Sequence, residues 1–120
     1  MDNSQRATVA FLCGCLSNLD GRKFNGVFDY SQGNNIACNY VNNFGCISVF
    51  DYQRGCYLSG RFPSFFDYGV SQSLSFTKIN NNSFNIFDYN TGNYLTADCN
   101  GQSINIYDFS IRQPFYYQVY

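Results

Sequence analysis

The chain contains no tryptophan, no histidine and no glutamate, and it has only two prolines and one methionine in 120 residues. Each absence closes a route. Without histidine the commonest general base is missing, and so is the imidazole ligand that most zinc sites use. Charged residues are 12% of the chain and the net charge is −1. No basic stripe exists that would neutralise phosphates, so nucleic acid is not an expected partner. No apolar run approaches the ~20 residues of a membrane-spanning helix. No glycine-rich phosphate loop leads into a helix. Helix-favouring Ala, Met and Lys are scarce, which argues against a helical protein. These gaps point to a chain that is not an enzyme and uses no cofactor.

What remains is unusual in one direction. Aromatic residues make up 20% of the chain, as 13 Phe and 11 Tyr, and much of the rest is Asn, Ser and Gly. Aromatic side chains favour strands, while Asn, Asp and Gly favour tight turns. The length fits one domain spanning 1–120. Six cysteines stand at 13, 15, 38, 46, 56 and 99. They occupy unrelated places in the pattern described next and include no Cys-x-x-Cys. They are read as free thiols serving as small hydrophobes in a reducing cytoplasm.

The sequence repeats itself. Phe28-Asp29-Tyr30, Phe50-Asp51-Tyr52, Phe66-Asp67-Tyr68 and Phe87-Asp88-Tyr89 are identical triplets, and Tyr107-Asp108-Phe109 is a fifth with the aromatics exchanged. The residue before each triplet is apolar: Val27, Val49, Phe65, Ile86 and Ile106. Five places after its first aromatic come Gly33, Gly55, Ser71, Gly92 and Arg112; eight places after come Ile36, Leu58, Leu74, Leu95 and Phe115. Side chains alternate along a strand, so Ile86 and Asp88 face one way while Phe87 and Tyr89 face the other. Glycine at the turn suits a left-handed residue closing a hairpin. Each copy is therefore a β-hairpin. The fold class is all-β, with five tandem antiparallel hairpins of about ten short strands over 22–120. Either an open meander or radial closure into a shallow barrel satisfies the pattern.

Some copies depart from it. Ser71 predicts a different turn type in the third hairpin. Pro114 cannot donate to a central ladder, so the fifth copy is expected to be an edge or capping unit. Pro63, just before the third triplet, suggests a clipped loop. Over residues 1–21, Val9, Leu12, Cys13 and Leu16 follow helical spacing. They predict one amphipathic helix at about 4–18, packed on the sheet. Asp2, Asn3 or Ser4 would cap it and Gly21 would end it. A rival reading takes Arg6, the apolar stretch after it and Cys15 as a lipoprotein signal with its anchor at Cys15.

Over residues 24–120 the repeat resembles three groups of β-hairpin proteins. Phe87-Asp88-Tyr89-Asn90-Thr91-Gly92-Asn93-Tyr94-Leu95 looks like the YD repeats of Rhs-type and insecticidal toxin shells. The period is similar to that of MORN repeats, although their Gly-Trp-Gly-like core is absent. The overall plan resembles small bacterial β-flower proteins, in which short hairpins close radially into a shallow barrel. Such shells are structural containers, so the likeness implies a fold and no catalysis.

Two sets of residues are candidate sites. Asp29, Asp51, Asp67, Asp88 and Asp108 each stand just before a turn. The structural reading has each accepting hydrogen bonds from turn amides or hydroxyls. The functional reading needs radial closure, which would gather five carboxylates into a ring able to hold a cation. The structural reading is preferred and no metal is assigned. The aromatics of each triplet share one face. Tyr30, Tyr52, Tyr68, Tyr89 and Phe109 are the candidate ligand-binding residues, as a platform for a sugar or other small ligand. The stretch Phe115-Tyr116-Tyr117 to Tyr120 is expected to form an exposed patch. The expected function is a non-catalytic binding module; the alternative is a protein-interaction, inhibitor or self-assembling protein without a small ligand, with a second copy of the chain as a candidate partner.

Overall fold

A computed structural model describes residues 1–17 and 21–120. Helix α1 (Asn3–Leu16) precedes ten strands: β1 (Gly26–Asp29), β2 (Asn34–Asn43), β3 (Cys46–Asp51), β4 (Cys56–Arg61), β5 (Ser64–Asp67), β6 (Gln72–Asn80), β7 (Ser83–Asp88), β8 (Asn93–Asn100), β9 (Ser103–Asp108) and β10 (Gln113–Val119). Every strand pairs antiparallel with its sequence neighbours, and β1 pairs with β10, so the sheet closes into a barrel. Closure leaves no unpaired strand edge.

The five hairpins are equivalent. Within each, the apolar residue before the triplet lies opposite the apolar residue eight places after its first aromatic: Val27↔Ile36, Val49↔Leu58, Phe65↔Leu74, Ile86↔Leu95 and Ile106↔Phe115. All ten side chains are buried. Two residues on, Asp29, Asp51, Asp67, Asp88 and Asp108 point inward at the same end of the barrel. Backbone bonds stitch neighbouring hairpins together: the amides of Tyr52, Tyr68, Tyr89 and Phe109 donate to the carbonyls of Ala37, Tyr57, Ser73 and Tyr94, and Tyr30 donates to Tyr116 across the closing seam.

The turns share one backbone feature, and the expectation of an edge in the fifth copy is corrected. Ser71 and Arg112 both have φ of 54°, beside 67°, 66° and 73° at Gly33, Gly55 and Gly92. All five thus share a left-handed φ, while the closing amide-to-carbonyl bond to the triplet Asp is made by Gly33, Gly55 and Gly92. The fifth copy is no edge: β10 pairs with β9 from Gln113 to Gln118 and with β1 through Tyr117, Gln118 and Val119. Pro114 sits beyond the β1 pairing, where its missing N–H breaks no ladder. The Phe62–Pro63 peptide bond is cis, in the tight turn between β4 and β5.

The helix is the larger correction. It does not pack on the sheet as an amphipathic helix. It runs inside the barrel, and every residue from Gln5 to Gly14 is buried. An all-round-buried helix needs no polar face. Asp2 is its cap: the Asp2 carboxylate accepts from the Gln5 amide at 2.7 Å. The helix ends at Leu16 with Ser17 as C-cap, rather than at Gly21; residue 18, the expected end, lies outside the described residues. Gly14 permits close approach to the wall, since a Cβ there would stand 2.9 Å from Val119 Cγ1. Ala7, Val9, Ala10, Phe11 and Leu12, the stretch that the lipoprotein reading treats as signal, are core residues of the barrel. No helix among the described residues is long and apolar enough to cross a membrane.

Candidate functional site

The end of the barrel that carries the triplets has an inner and an outer chemistry. The inner one is a ring of five carboxylates, each 1% exposed or less. Its first job is local. Oδ1 of each Asp accepts from the amide two residues on: Ser31 at 2.9 Å, Gln53 at 2.8 Å, Gly69 at 2.8 Å, Asn90 at 2.9 Å and Ser110 at 3.0 Å. That is the turn-capping role expected from sequence.

The ring also forms, and the chain supplies its own cations to it. Arg6, on the first turn of α1, is fully buried. Its Nε and Nη2 donate to Asp108 Oδ2 at 3.2 and 3.0 Å, and its guanidinium lies 3.7 Å from the centre of the Phe115 ring. Its other donors reach Asn3 Oδ1, at 2.7 Å, and the Met1 carbonyl. Arg54, on the turn of the second hairpin, grips Asp67 with two bonds of 3.0 and 2.7 Å. Thr8 donates to Asp51 Oδ2 at 2.6 Å. The helix N-terminus, the positive end of its dipole, lies at the acidic end of the barrel. Burial opposes ionisation of Asp108, but the Ser110 hydroxyl, the Arg6 guanidinium, the Ser110 amide and the Met1 amino group together hold its carboxyl below the usual range. No group of three or more His, Cys, Asp or Glu side chains among the described residues is arranged to hold a metal ion.

The outer chemistry is aromatic. Tyr30, Tyr52, Tyr68, Tyr89 and Phe109 stand on the outside, 60%, 62%, 60%, 56% and 48% exposed. Each is braced edge-on by the first aromatic of its own triplet: Phe28, Phe50, Phe66, Phe87 and Tyr107, with ring centres 4.7–5.0 Å apart. That geometry suits the ring quadrupoles and fixes the outer ring. Tyr57 and Tyr94 add a third ring in two hairpins, 4.7 and 4.9 Å from Phe50 and Phe87. Between hairpins lie shallow grooves open to solvent. One of about 440 Å³ is lined by Asn39, Val41, Ser48, Phe50, Tyr52 and Tyr57. Another of about 510 Å³ includes Thr77, Asn85, Asn93, Tyr94, Thr96 and Phe109. A third brings Tyr89 beside Phe66 and a run of Ser and Gln side chains. Sequence reasoning picked the five triplet aromatics but missed Tyr57 and Tyr94, which the strand alternation places on the same outer face.

The C-terminal patch is corrected by the same alternation. Phe115 and Tyr117 point into the barrel, and only Tyr116 and Tyr120 are exposed. The six cysteines are free thiols. Burial pushes Cys15 up to about 12 and raises Cys13, Cys38, Cys56 and Cys99, which disfavours the thiolate in each. Cys46 is exposed, at the start of β3.

Fold and surface together define a closed hairpin-repeat barrel threaded by its own helix and wrapped outside by braced aromatics. No protein-family model, curated protein or solved structure matches the chain.

Proposed function

We propose that the protein is a non-catalytic binding module whose outer aromatic grooves take a sugar, as repeated units of a glycan. The observation that carries this reading is the fivefold set of exposed, edge-braced aromatics interleaved with Asn, Ser, Thr and Gln. A flat aromatic face accepts the C–H surface of a sugar, and neighbouring amides and hydroxyls meet its hydroxyls. Because the helix fills the interior, ligand contact falls on the outer wall. Shallow grooves bind weakly one at a time, so repetition around the barrel favours a polymeric ligand through avidity.

The test is a thermal-shift screen of glycans beside light scattering. A monomer stabilised by a polysaccharide, with the shift reduced in Tyr52→Ala and again in Tyr52→Ala/Tyr94→Ala, supports the reading. No stabilising glycan together with a mass above the monomer's rejects it. The second outcome favours a protein-interaction or self-assembling role. One observation speaks for that role: Phe44 is 95% exposed on the β2–β3 turn, at the end opposite the triplets, where Phe62 and Ile79 are also exposed.

A further inference from the structure

The end of the barrel opposite the carboxylate ring has a chemistry of its own. Three consecutive turns around the circuit, β2–β3, β4–β5 and β6–β7, each expose one large apolar side chain there: Phe44, Phe62 and Ile79. Phe44 is the most exposed of the described large apolar residues. Asn43 pairs with Cys46, so Phe44 and Gly45 form a two-residue loop, with φ of 53° and 88°. Such a loop favours Asn, Asp or Gly at its first place, and a bulky side chain there is strained. Neither backbone geometry nor burial accounts for a phenylalanine at this tip. Ile79 is the extra residue of a bulge, since β6 shifts register against β7 between Lys78 and Asn80. A bulge re-aims the side chain it carries. Phe62 is held by Phe76 and Phe84, with ring centres 6.4 and 6.3 Å away.

Cations stand among these tips. Four of the chain's seven, Arg22, Lys23, Arg61 and Lys78, are exposed at this end. The Arg61 guanidinium donates to the Phe44 carbonyl at 3.0 Å, which ties the first two turns together. Lys78 immediately precedes Ile79. Arg22 and Lys23 border a recess with Asn42 and Ile47, beside the first tip, and Arg22 donates to Gln102 Oε1 at 3.4 Å in the β8–β9 turn. Asp98 is the one acid at this end among the described residues, and it accepts from the Ser83 hydroxyl at 2.6 Å; Asp20 lies outside them.

We infer that this rim docks on a membrane surface rich in anionic lipid, with Phe44, Phe62 and Ile79 entering the acyl boundary and the four cations among the headgroups. The contact needs no spanning segment, because interfacial binding sums buried apolar area and attraction to anionic lipid. Three tips on separate turns suit a yielding layer, which takes each one without a matching socket. A second copy of the chain is the rival occupant. Charge opposes it: pairing this rim with itself sets four cations against four. Stacking it on the triplet end meets ring carboxylates that are buried. The aromatic grooves proposed for glycans lie on the outer wall, so failure of either reading leaves the other standing.

The experiment is sedimentation with sucrose-loaded vesicles of phosphatidylcholine, alone or with about 30% phosphatidylserine to make the surface negative. Wild type binds the mixed vesicles, binds the neutral ones far more weakly, and loses binding as salt rises. Phe44→Ala, at an exposed tip, weakens binding about tenfold. Lys23→Gln and Lys78→Gln weaken it about fivefold each. Arg112→Gln, at the triplet end, leaves it unchanged. Because the chain has no tryptophan, Phe44→Trp supplies a single indole whose emission moves to the blue when mixed vesicles are added. Tyr52→Trp, at the triplet end, shows no such move. No binding to mixed vesicles overturns the proposal, and a mass above the monomer's by light scattering would then assign the rim to a second copy. Binding that Phe44→Ala leaves intact, or that Arg112→Gln weakens as much as Lys78→Gln does, overturns it as well.

Discussion

At the scale of single residues, one side chain does two jobs in every copy. The triplet Asp caps its turn through Oδ1 and faces the barrel axis through Oδ2, so a turn signal and a core polar network come from the same carboxylate. Arg6 and Asp108 are the most committed pair, both 1% exposed. The Asp108 carboxyl is held below its usual range, so its contribution to stability is complete above the unfolded carboxylate value of about 3.9 and is lost as pH falls through the folded value. Asp108→Asn should therefore flatten the acid limb of a pH–stability curve, measured by urea melts. At pH 7 it should cost about 3 kcal/mol, because Arg6 loses its buried counter-charge. A second prediction concerns the left-handed turn residues. Ser71 and Arg112 hold φ of 54° without being glycine, and a side chain in that region is disfavoured by about 1 kcal/mol. Ser71→Gly and Arg112→Gly should each raise stability by about 0.5–1 kcal/mol, the strain relieved being partly offset by a freer unfolded chain. An unchanged or lowered urea midpoint would show that the serine or arginine side chain contributes more than its backbone strain costs.

At the scale of elements, the hairpins and the helix were legible to different degrees. The hairpins were readable because period-two alternation and a glycine-bearing turn recur at matching offsets. The position of the helix was not. The sequence predicts an amphipathic helix packed on the sheet, whereas in the barrel Thr8 and Arg6 are buried and bond Asp51 and Asp108 of the carboxylate ring. The nearly unbroken apolar run Val9–Cys13 was the available signal that this helix is covered on all sides. Gly14, a weak helix residue when read locally, marks where the helix presses against β10. Gly14→Ala gains helix propensity worth up to about 1 kcal/mol. It also drives a methyl group against the buried Val119, and overpacking of that kind costs about 1–3 kcal/mol. A net loss of about 1 kcal/mol in chemical denaturation is expected; a gain would mean that the wall yields there.

At the scale of the whole molecule, the barrel and its helix are one core. The inward faces of β1, β2, β3, β8, β9 and β10 pack against the helix, and Ala7, Val9, Ala10, Phe11, Leu12 and Cys13 join the strand side chains in one buried cluster. Deleting residues 1–17 should abolish cooperative unfolding by circular dichroism and expose apolar surface to a hydrophobic dye. A barrel that still melts cooperatively would show that the hairpins pack without the helix. The outer wall is independent of this core, since the exposed aromatics rest on strand positions that alternate with the buried ones. Outward substitutions such as Tyr52→Ala should for that reason leave the fold intact, which is what makes them usable as probes of binding.

The order of residues by itself determined the unit: five hairpins, their inward apolar pairs, their outward aromatics and their capping carboxylates, all consequences of local alternation and turn chemistry. Closure, the inner seat of the helix and the pairing of Arg6 with Asp108 were decided only in three dimensions. They depend on which strand meets which after a full circuit of the sheet and on which way a central helix is rotated. Neither relation is written in any short stretch of sequence.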